Sequence, residues 1–351
     1  MQSKATSSVN SRDQGPITTG PLALFIRNQF RTTIPLPTKQ TYPDVVGKVA
    51  LVTGANSGIG LEACRQLVSL GLSHLIMAVR SLEKGHAAAK QVELLVPSGH
   101  TTKIDVWQLD MDSYESILGF VQCCSSELAR LDIAILNAGL SSQKFSILAT
   151  TGHEPTVQVN HISTSLLAIL LLPVLRDKSP ANTPGRLTIT SSLTPHLANF
   201  PLQDKRPLLK AFDQPDNWLG DRYAQSKLLN QLFIARLSTV VDANKVIITL
   251  VEPGLVKGTE LFRQVPGRAM LKGVLNLVGR PVDQAAATYL DAVLAQGKEA
   301  HGSYVMNCKL APYCHWYYDD EDGTLYKNAI WEETLKELEF AGVDQVIQSM
   351  K

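Results

Sequence analysis

Apolar and polar positions follow two alternating patterns along most of the chain. From Lys48 onward, short runs of β-branched and aliphatic residues are separated by stretches of ten or more residues with helical spacing of the apolar positions. Each short run predicts a buried strand, and the intervening stretches predict helices that cross between parallel strands. The predicted strands are residues 49–53, 75–79, 106–109, 133–136, 187–190, 247–251 and 303–306.

This alternation predicts the fold class. Strands joined by helical crossovers form a parallel sheet that carries helices on both faces. We therefore predict an α/β fold, a single-domain Rossmann-type doubly wound parallel sheet of about seven strands. The first strand leads through a glycine-rich turn into a helix predicted over residues 60–70.

The two ends of the chain lack this pattern. Residues 1–46 are rich in Ser, Thr, Gln and Pro, which predicts a flexible N-terminal arm with residues 1–20 disordered. Within it, Pro21–Phe30 is apolar enough to dock as an arm or a short helix. We predict a Rossmann-type domain over residues 47–310 and a C-terminal extension over residues 311–351.

Composition narrows the classes of partner. The 351 residues carry 33 Lys and Arg against 32 Asp and Glu, so the chain lacks the basic field that nucleic acid binding requires. Five cysteines without zinc-type spacing predict reduced thiols and no metal site. The longest apolar run, residues 166–175, is shorter than the ~18 residues of a membrane span. We predict a soluble, cytoplasmic protein without a transmembrane span.

The glycine-rich turn after the first strand is the first candidate for chemistry. Residues 53–60 read TGANSGIG, in which Gly54 permits the tight turn and Gly58 lets the backbone approach a pyrophosphate. Gly60 allows the helix to pack closely on the strand, and the helix N-terminus offers N–H groups to phosphate. The context predicts a dinucleotide site rather than a purely structural turn. Three further residues of this turn are predicted cofactor contacts: Asn56, Ser57 and Ile59.

The end of the second predicted strand favours NADP over NAD. An acid at this position would hydrogen-bond the ribose 2′-hydroxyl of NAD. The sequence here is instead Ala78-Val79-Arg80-Ser81. The Arg80 guanidinium can bind a 2′-phosphate through two hydrogen bonds, whereas a solvated surface arginine is the alternative.

Three motifs in this order resemble those of the short-chain dehydrogenases/reductases. They are TGANSGIG at 53–60, Asn137-Ala138-Gly139, and the YxxxK pair of Tyr223 and Lys227. The resemblance covers roughly residues 46–310. The phrases AVRSLEKG and QVNHISTSLLAILLLPVL are most similar to the retinol-dehydrogenase-like branch. The N-terminal arm and C-terminal tail are similar to fungal members, many of which act in secondary metabolism.

The YxxxK pair has a physical rationale for acid–base chemistry. Residues four apart on a helix share a face, so Tyr223 and Lys227 can both point into the cofactor cleft. An ammonium and the positive charge of an oxidised nicotinamide would both lower the pKa of the phenol. Tyr223 would then donate a proton to a substrate carbonyl or remove it from an alcohol, while Lys227 would also hold the ribose hydroxyls.

The resemblance implies the remaining catalytic residues. Ser192 would hydrogen-bond the substrate carbonyl oxygen, with Ser191 as the adjacent competitor and Thr190 as a more distant one. Asn160 would hold a water for proton relay from the lysine; an asparagine that only bonds a helix carbonyl is the alternative. The implied catalytic set is Asn160, Ser192, Tyr223 and Lys227.

Further cofactor contacts also follow from the resemblance. Asp110 would contact the adenine amino group, with the Met111 backbone nearby. The motif residues Asn137, Ala138 and Gly139 would close over the adenosine ribose. After the sixth strand the backbone would approach the nicotinamide amide, and the implied residues there are Pro253, Gly254, Val256 and Thr259.

Two loops are predicted to surround the substrate. Residues 255–282 mix apolar residues with Gly and Lys, which predicts a mobile lid that excludes water. An amphipathic helix in shallow contact with a membrane is the alternative interpretation. The long connection between Ser192 and Tyr223 predicts part of the pocket wall.

Together these features predict an NADP(H)-dependent oxidoreductase. It would interconvert a ketone or aldehyde and an alcohol on a lipophilic small molecule, in a fungal polyketide or terpenoid pathway. A non-redox enzyme on the same fold (isomerase, dehydratase or cyclase) and a non-catalytic nucleotide-binding protein are the alternatives. The resemblance also implies a homodimer through the helices around Asn160 and Tyr223, which the arm and the tail would modify.

Overall fold

One mostly parallel sheet forms the centre of the molecule. The computed structural model describes residues 9–199, 206–218, 220–259, 261, 273 and 275–351. Its strands are β1 (Val49–Thr53), β2 (His74–Val79), β3 (Lys103–Gln108), β4 (Ile133–Leu136), β5 (Gly185–Thr190), β6 (Val246–Glu252), β7 (Tyr304–Met306) and β8 (Lys309–Ala311). Their order in space is β3-β2-β1-β4-β5-β6-β7-β8. Neighbours pair in parallel as far as β7, and β8 pairs with β7 in the antiparallel sense.

Helices cover both faces of this sheet. They are α1 (Pro21–Phe30), α2 (Gly58–Ser69), α3 (Leu82–Glu93), α4 (Tyr114–Glu127), α5 (Pro155–Lys178), α6 (Leu208–Phe212), α7 (Arg222–Val240), α8 (Val282–Leu294), α9 (His315–Tyr318), α10 (Asp322–Glu337) and α11 (Val343–Ser349). One buried cluster joins the sheet to α4, α5 and α7, and a second joins the opposite face to α2, α3 and α8. The doubly wound Rossmann-type fold is thereby confirmed.

All seven predicted strands are present, β1 and β4 with the predicted ends and the other five with shifted ends, and an eighth was missed. β8 has three residues and follows a tight turn at Asn307 and Cys308, whose φ angles of 54° and 60° suit a hairpin. So short a strand carries too few positions for an alternating pattern. β3 starts three residues earlier than predicted because it is the exposed edge strand, and its polar residues Lys103 and Asp105 hide the pattern.

The strand order creates a crevice at one edge of the sheet. After β1 the chain adds strands on one side, and it then crosses back to place β4 against the other side of β1. The connections after β1 and β4 leave in opposite directions, so their carboxyl ends open a crevice. The predicted cofactor and catalytic residues that follow β1, β4, β5 and β6 lie along this edge.

The N-terminal segment packs onto the domain from Val9 onward. The Asn10 side chain donates to the carbonyls of Glu299 and His301, both at 3.0 Å. The buried Ser11 hydroxyl accepts the Tyr304 N–H at 2.8 Å. This differs from the disorder expected of residues 9–20, because polar side chains rather than apolar ones attach the segment. Residues 1–8 lie outside the described part of the chain.

The C-terminal segment covers the outer faces of α5 and α7. The Trp331 ring of α10 stacks on Phe233 of α7 with centroids 5.1 Å apart. The Thr334 hydroxyl lies 2.8 Å from Nε2 of His161 in α5. Near the end of the chain, Arg176 of α5 donates to the Ser349 carbonyl at 3.1 Å. These contacts attach the tail along most of its length.

A buried histidine joins the C-terminal segment to two other parts of the chain. His153 is 1% exposed and lies just before α5, with Nδ1 2.8 Å from Asp213 and Nε2 3.2 Å from Glu337 of α10. Burial lowers the pKa of His153, but the hydrogen bonds and charges of the two carboxylates outweigh it and raise the pKa to about 9.

One helix of the described residues, α5, is long and apolar enough to cross a membrane. However, 94% of its most apolar stretch is buried inside the protein. This is the usual environment of a core helix in a doubly wound fold.

Candidate active site

The glycine-rich turn has the backbone that the sequence predicts. Gly54 and Gly58 have φ angles of +65° and +56°, which side chains rarely tolerate. A methyl group on Gly60 would lie 2.5 Å from Nδ2 of Asn137 and 2.6 Å from the Gly54 carbonyl, so only glycine fits. Helix α2 begins at Gly58, and the Ser57 side chain makes no capping hydrogen bond there. The first N–H groups of α2 are therefore left for a ligand.

A hydrogen-bonded chain ties this turn to the ends of β4 and β5. The Asn137 amide donates to the Thr53 carbonyl at 2.9 Å, and the Ala138 N–H donates to the Thr53 hydroxyl at 2.9 Å. The Tyr289 hydroxyl donates to Oδ1 of Asn137 at 3.1 Å and accepts from the Thr190 hydroxyl at 2.9 Å. Tyr289 was not predicted, because it lies in none of the sequence motifs.

Asn160 lies in a π-helical turn, Gln158–Ser163, inside α5. Its amide accepts from the Leu140 N–H at 3.0 Å and donates to the Leu140 carbonyl at 2.8 Å. It also donates to the Ser226 hydroxyl of α7 at 2.9 Å. Such turns often mark functional sites, and this one was not predicted. Asn160 thus fixes the backbone just after Gly139.

The structure brings Ser192, Tyr223 and Lys227 together. Ser192 lies close enough to the phenol of Tyr223 for its side chain to lower the pKa of that group, and Nζ of Lys227 lies 6.0 Å from the centre of the Tyr223 ring. Lys227 also donates to the Thr190 carbonyl at 2.8 Å. The Thr190 hydroxyl is directed to Tyr289 instead. Of the three candidate hydroxyls, the contact with Tyr223 therefore favours Ser192.

Burial dominates the electrostatics of this cluster. It raises the pKa of Tyr223 to about 12, while the Ser192 hydrogen bond opposes the rise and the charge of Glu252 adds to it. Burial also lowers the pKa of Lys227 to about 8. The Lys227 ammonium is expected to lower the pKa of Tyr223, but among the protein's own groups burial sets the direction and the pKa rises.

A buried carboxylate, Glu252, ends β6 beside these residues and was not predicted. Its Oε2 accepts from the Asn28 amide at 3.0 Å, and Oε1 accepts from the Gly254 N–H at 2.7 Å. Burial raises the pKa of Glu252, and the Arg280 charge opposes the rise. An acid that ends the apolar strand VIITLVE was an available signal.

Arg80 is at the predicted position after β2 but has a protein partner. Its side chain is 59% exposed, and Nη1 lies 3.1 Å from Oδ2 of Asp112. Asp110 accepts the Asp112 N–H at 3.1 Å. Burial and the Asp110 charge raise the pKa of Asp112, while the Arg80 guanidinium opposes the rise. Met111 is buried, and its carbonyl accepts from the Ser163 hydroxyl at 2.6 Å.

The segment after β6 returns to the glycine-rich turn. A methyl group on Gly58 would lie 3.7 Å from the Thr259 methyl, so Thr259 is next to the predicted pyrophosphate site. Its hydroxyl donates to the Val256 carbonyl at 3.5 Å. Residues 260, 262–272 and 274 of the predicted lid lie outside the described part of the chain, as do residues 200–205 and 219 of the predicted pocket wall.

Known proteins are similar to this chain in sequence and in fold. A family model described as short chain dehydrogenase matches residues 48–200. The short chain dehydrogenase/reductase mfmJ of Annulohypoxylon moriforme is 47% identical over 330 residues, 93% of this chain and 94% of the relative. The short chain dehydrogenase virL of Hypocrea virens is 40% identical over the same shares. A short-chain type dehydrogenase/reductase of Mycobacterium marinum has a similar fold, with a TM-score of 0.59, 19% identity and coverage of 80% and 99%.

Proposed function

This chain belongs to the short-chain dehydrogenase/reductase family, and we propose on that premise that it is an NADP(H)-dependent oxidoreductase. It interconverts a ketone or aldehyde and an alcohol on a lipophilic small molecule. The observation that supports this most directly is the grouping of Ser192, Tyr223 and Lys227 at the edge of the sheet next to the glycine-rich turn. Nζ of Lys227 lies 6.0 Å from the centre of the Tyr223 ring, and the Ser192 side chain lowers the pKa of Tyr223 against the effect of burial. A non-redox or non-catalytic protein would not require this set to be intact.

The described residues fit a dinucleotide. The positive φ angles of Gly54 and Gly58 and the uncapped start of α2 make a cradle for a pyrophosphate. A nicotinamide cofactor supplies or accepts a hydride when bound. The residues that would hold the rest of it are Asn56, Ser57, Ile59, Gly60, Asp110, Met111, Asn137, Ala138, Gly139, Pro253, Gly254, Val256 and Thr259.

The chain's own residues move the proton. Tyr223, whose pKa burial raises to about 12, is neutral at pH 7 and carries the proton that the carbonyl oxygen of a substrate would accept. The Ser192 hydroxyl, which lies near the phenol of Tyr223, orients that oxygen. Lys227 places an ammonium beside the phenol, which favours the phenolate left after donation. Asn160 holds the backbone that faces Lys227, since a methyl group on Gly139 would lie 3.7 Å from Nζ.

The preference for NADP rests on Arg80. Its exposed guanidinium stands at the end of β2, where an NAD enzyme would carry an acid. A 2′-phosphate brings more charge than the single carboxylate of Asp112, so it would compete well for the same guanidinium.

The biological setting is proposed from similarity to fungal relatives. The resemblance to the relatives from Annulohypoxylon moriforme and Hypocrea virens spans 93% of this chain. We propose a cytoplasmic enzyme of a polyketide or terpenoid pathway, with the arm at residues 1–46, the catalytic domain at 47–310 and the extension at 311–351.

The experiment is the Tyr223→Phe variant. Removal of the hydroxyl should reduce turnover of lipophilic ketones by about a hundredfold or more, because general acid catalysis is lost. NADPH affinity, measured by fluorescence titration, should stay within about twofold, since the phenol is not among the phosphate contacts.

Two results would contradict the proposal. Retention of most activity in Tyr223→Phe would remove this residue as the acid. Turnover of the natural substrate without any change in NADPH absorbance would favour the non-redox alternative. Tyr313→Phe is a matched control for loss of a buried tyrosine hydroxyl, because Tyr313 is 1% exposed and lies in the C-terminal extension, outside the motif residues.

A further inference from the structure

A side chain of the N-terminal helix α1 holds the turn that follows β6. The Gln29 amide accepts the Leu255 N–H at 3.1 Å and donates to the Leu255 carbonyl at 2.8 Å. The same nitrogen also lies 2.9 Å from the Val278 carbonyl. Gln29 is 8% exposed, so these bonds form largely away from water. The Gln29 side chain therefore joins two backbone segments, one at Leu255 and one at Val278, which lie on either side of residues 256–277.

A second set of hydrogen bonds, made by Arg280 and by Asn28 next to Gln29, holds the same turn. The Arg280 guanidinium, 3% exposed, donates to the Pro253 carbonyl and to the Asn28 carbonyl, both at 2.8 Å. It lies so close to Gly254 that a methyl group there would be 2.8 Å from its Cζ. The Asn28 amide donates to Glu252 at 3.0 Å. The buried charges of Arg280 and Glu252 compensate one another.

Helix α1 is docked by its polar side. Asn28 and Gln29 are buried, whereas Leu22, Ile26 and Phe30 are 71%, 37% and 53% exposed. A surface helix normally buries its apolar stripe and exposes its polar residues. Leu24 is the buried apolar exception. The orientation thus leaves apolar area in contact with water while making the hydrogen bonds of Asn28 and Gln29 to the turn.

We propose that Gln29 and Asn28 are positioning residues for the turn Pro253, Gly254, Leu255 and Val256, and that this turn holds the nicotinamide half of the cofactor. The N-terminal helix is then a part of the cofactor site, although it precedes the Rossmann-type domain. This inference rests on the proposed function. It predicts that substitution of Gln29 weakens binding of the nicotinamide half of NADPH. Binding of the adenosine half, which would lie at β2 and β3, should be unchanged.

The test compares two ligands on the full chain. NADPH contains both halves, whereas adenosine 2′,5′-bisphosphate contains only the adenosine half with its 2′-phosphate. Gln29→Ala should weaken NADPH binding about tenfold or more, because several buried hydrogen bonds to the turn are lost. Affinity for adenosine 2′,5′-bisphosphate, measured by calorimetry, should stay within about twofold.

Two further variants make the comparison specific. Arg27→Ala changes an exposed residue of the same helix and should leave both affinities unchanged. Gln29→Glu keeps an acceptor for the Leu255 N–H but places a carboxylate against the carbonyls of Leu255 and Val278. Gln29→Glu should reproduce the selective loss of NADPH affinity, and it replaces Gln29→Ala in the test if that variant does not fold.

The outcomes separate this inference from the proposed function. Wild-type protein that does not bind NADPH removes the proposed function and this inference with it. Wild-type binding with no loss in the Gln29 variants overturns the inference alone. An equal loss for both ligands also overturns it, because that result indicates general loosening of the fold rather than positioning of one turn.

Discussion

At the scale of single residues, the ion pair of Arg80 and Asp112 lies where the proposed contact with the 2′-phosphate of NADP would form. The Arg80 guanidinium is exposed, and the Asp112 carboxylate is more buried than the Arg80 side chain. Arg80→Ala should weaken NADPH binding about tenfold to a hundredfold, because charge-assisted hydrogen bonds to the 2′-phosphate are lost. NADH affinity should change by less than about twofold. Fluorescence titration with both cofactors measures the difference.

Asp112→Asn is the matched control for this ion pair. It removes the competing charge and leaves Arg80 in place, so NADPH should bind as well as before or more tightly. If Asp112→Asn weakens NADPH binding as much as Arg80→Ala does, the ion pair itself matters and the 2′-phosphate assignment is wrong.

Residue types and spacing predict positions well at this scale, but they do not predict environments. The proximity of Tyr223 and Lys227 follows from four-residue spacing on a helix. The direction of the Tyr223 pKa does not, because it depends on burial that only the packed fold determines. Glu252 and Arg280 are charges of adjacent elements, 28 residues apart in sequence, and no local pattern relates them.

At the scale of elements, the packing of α2 on the strand ends depends on the absence of one methyl group. Gly60→Ala would bring a methyl within 2.6 Å of two polar atoms, the Asn137 amide nitrogen and the Gly54 carbonyl oxygen. We expect about 1–3 kcal/mol of lost stability in urea unfolding, because overpacking moves the turn. NADPH affinity should fall as well, since the moved turn is the proposed phosphate cradle.

Gly119→Ala is the control for this change. Gly119 is an exposed helical glycine of α4, and a methyl group there would meet nothing within 4 Å. It should be neutral or stabilise the protein by up to about 1 kcal/mol, through helix propensity alone. A Gly60→Ala variant as stable as Gly119→Ala, with unchanged NADPH affinity, would show that the close packing is not required.

Elements were predictable where their pattern is long and buried. β1 and β4 match their predicted limits because every residue in them is buried and apolar or small. The π-helical turn at Asn160 could not be predicted, since it depends on how α5 packs against the loop at Leu140 and on α7. The sequence of residues 21–30 does not distinguish a docked arm from a helix, because the buried side of α1 includes the polar residues Asn28 and Gln29.

At the scale of the whole molecule, His153 makes stability depend on pH. Its pKa is raised from 6.5 to about 9 in the folded chain, so the folded state binds the proton more tightly than the unfolded state. The resulting stabilisation, on the order of 2–3 kcal/mol, is complete below pH 6.5 and is lost as pH rises to about 9. His153→Gln should remove this part of the pH dependence.

Urea unfolding at several pH values between 6 and 9.5 measures this effect. The difference in unfolding free energy between wild type and His153→Gln should shrink as pH rises. His86→Gln changes an exposed histidine of α3 and should show a constant difference. A difference between wild type and His153→Gln that does not vary with pH would mean that Asp213 and Glu337 do not hold a proton on His153.

The C-terminal segment has a consequence for how the fold responds to dilution. A surface covered by a second subunit becomes exposed when the protein is diluted below its dissociation constant. Here Trp331, Thr334 and Ser349 cover α5 and α7 from within the same chain. The local concentration of that cover is set by the length of the linking chain and not by the number of molecules in solution. The parts of α5 and α7 that this segment covers therefore keep that cover at any protein concentration.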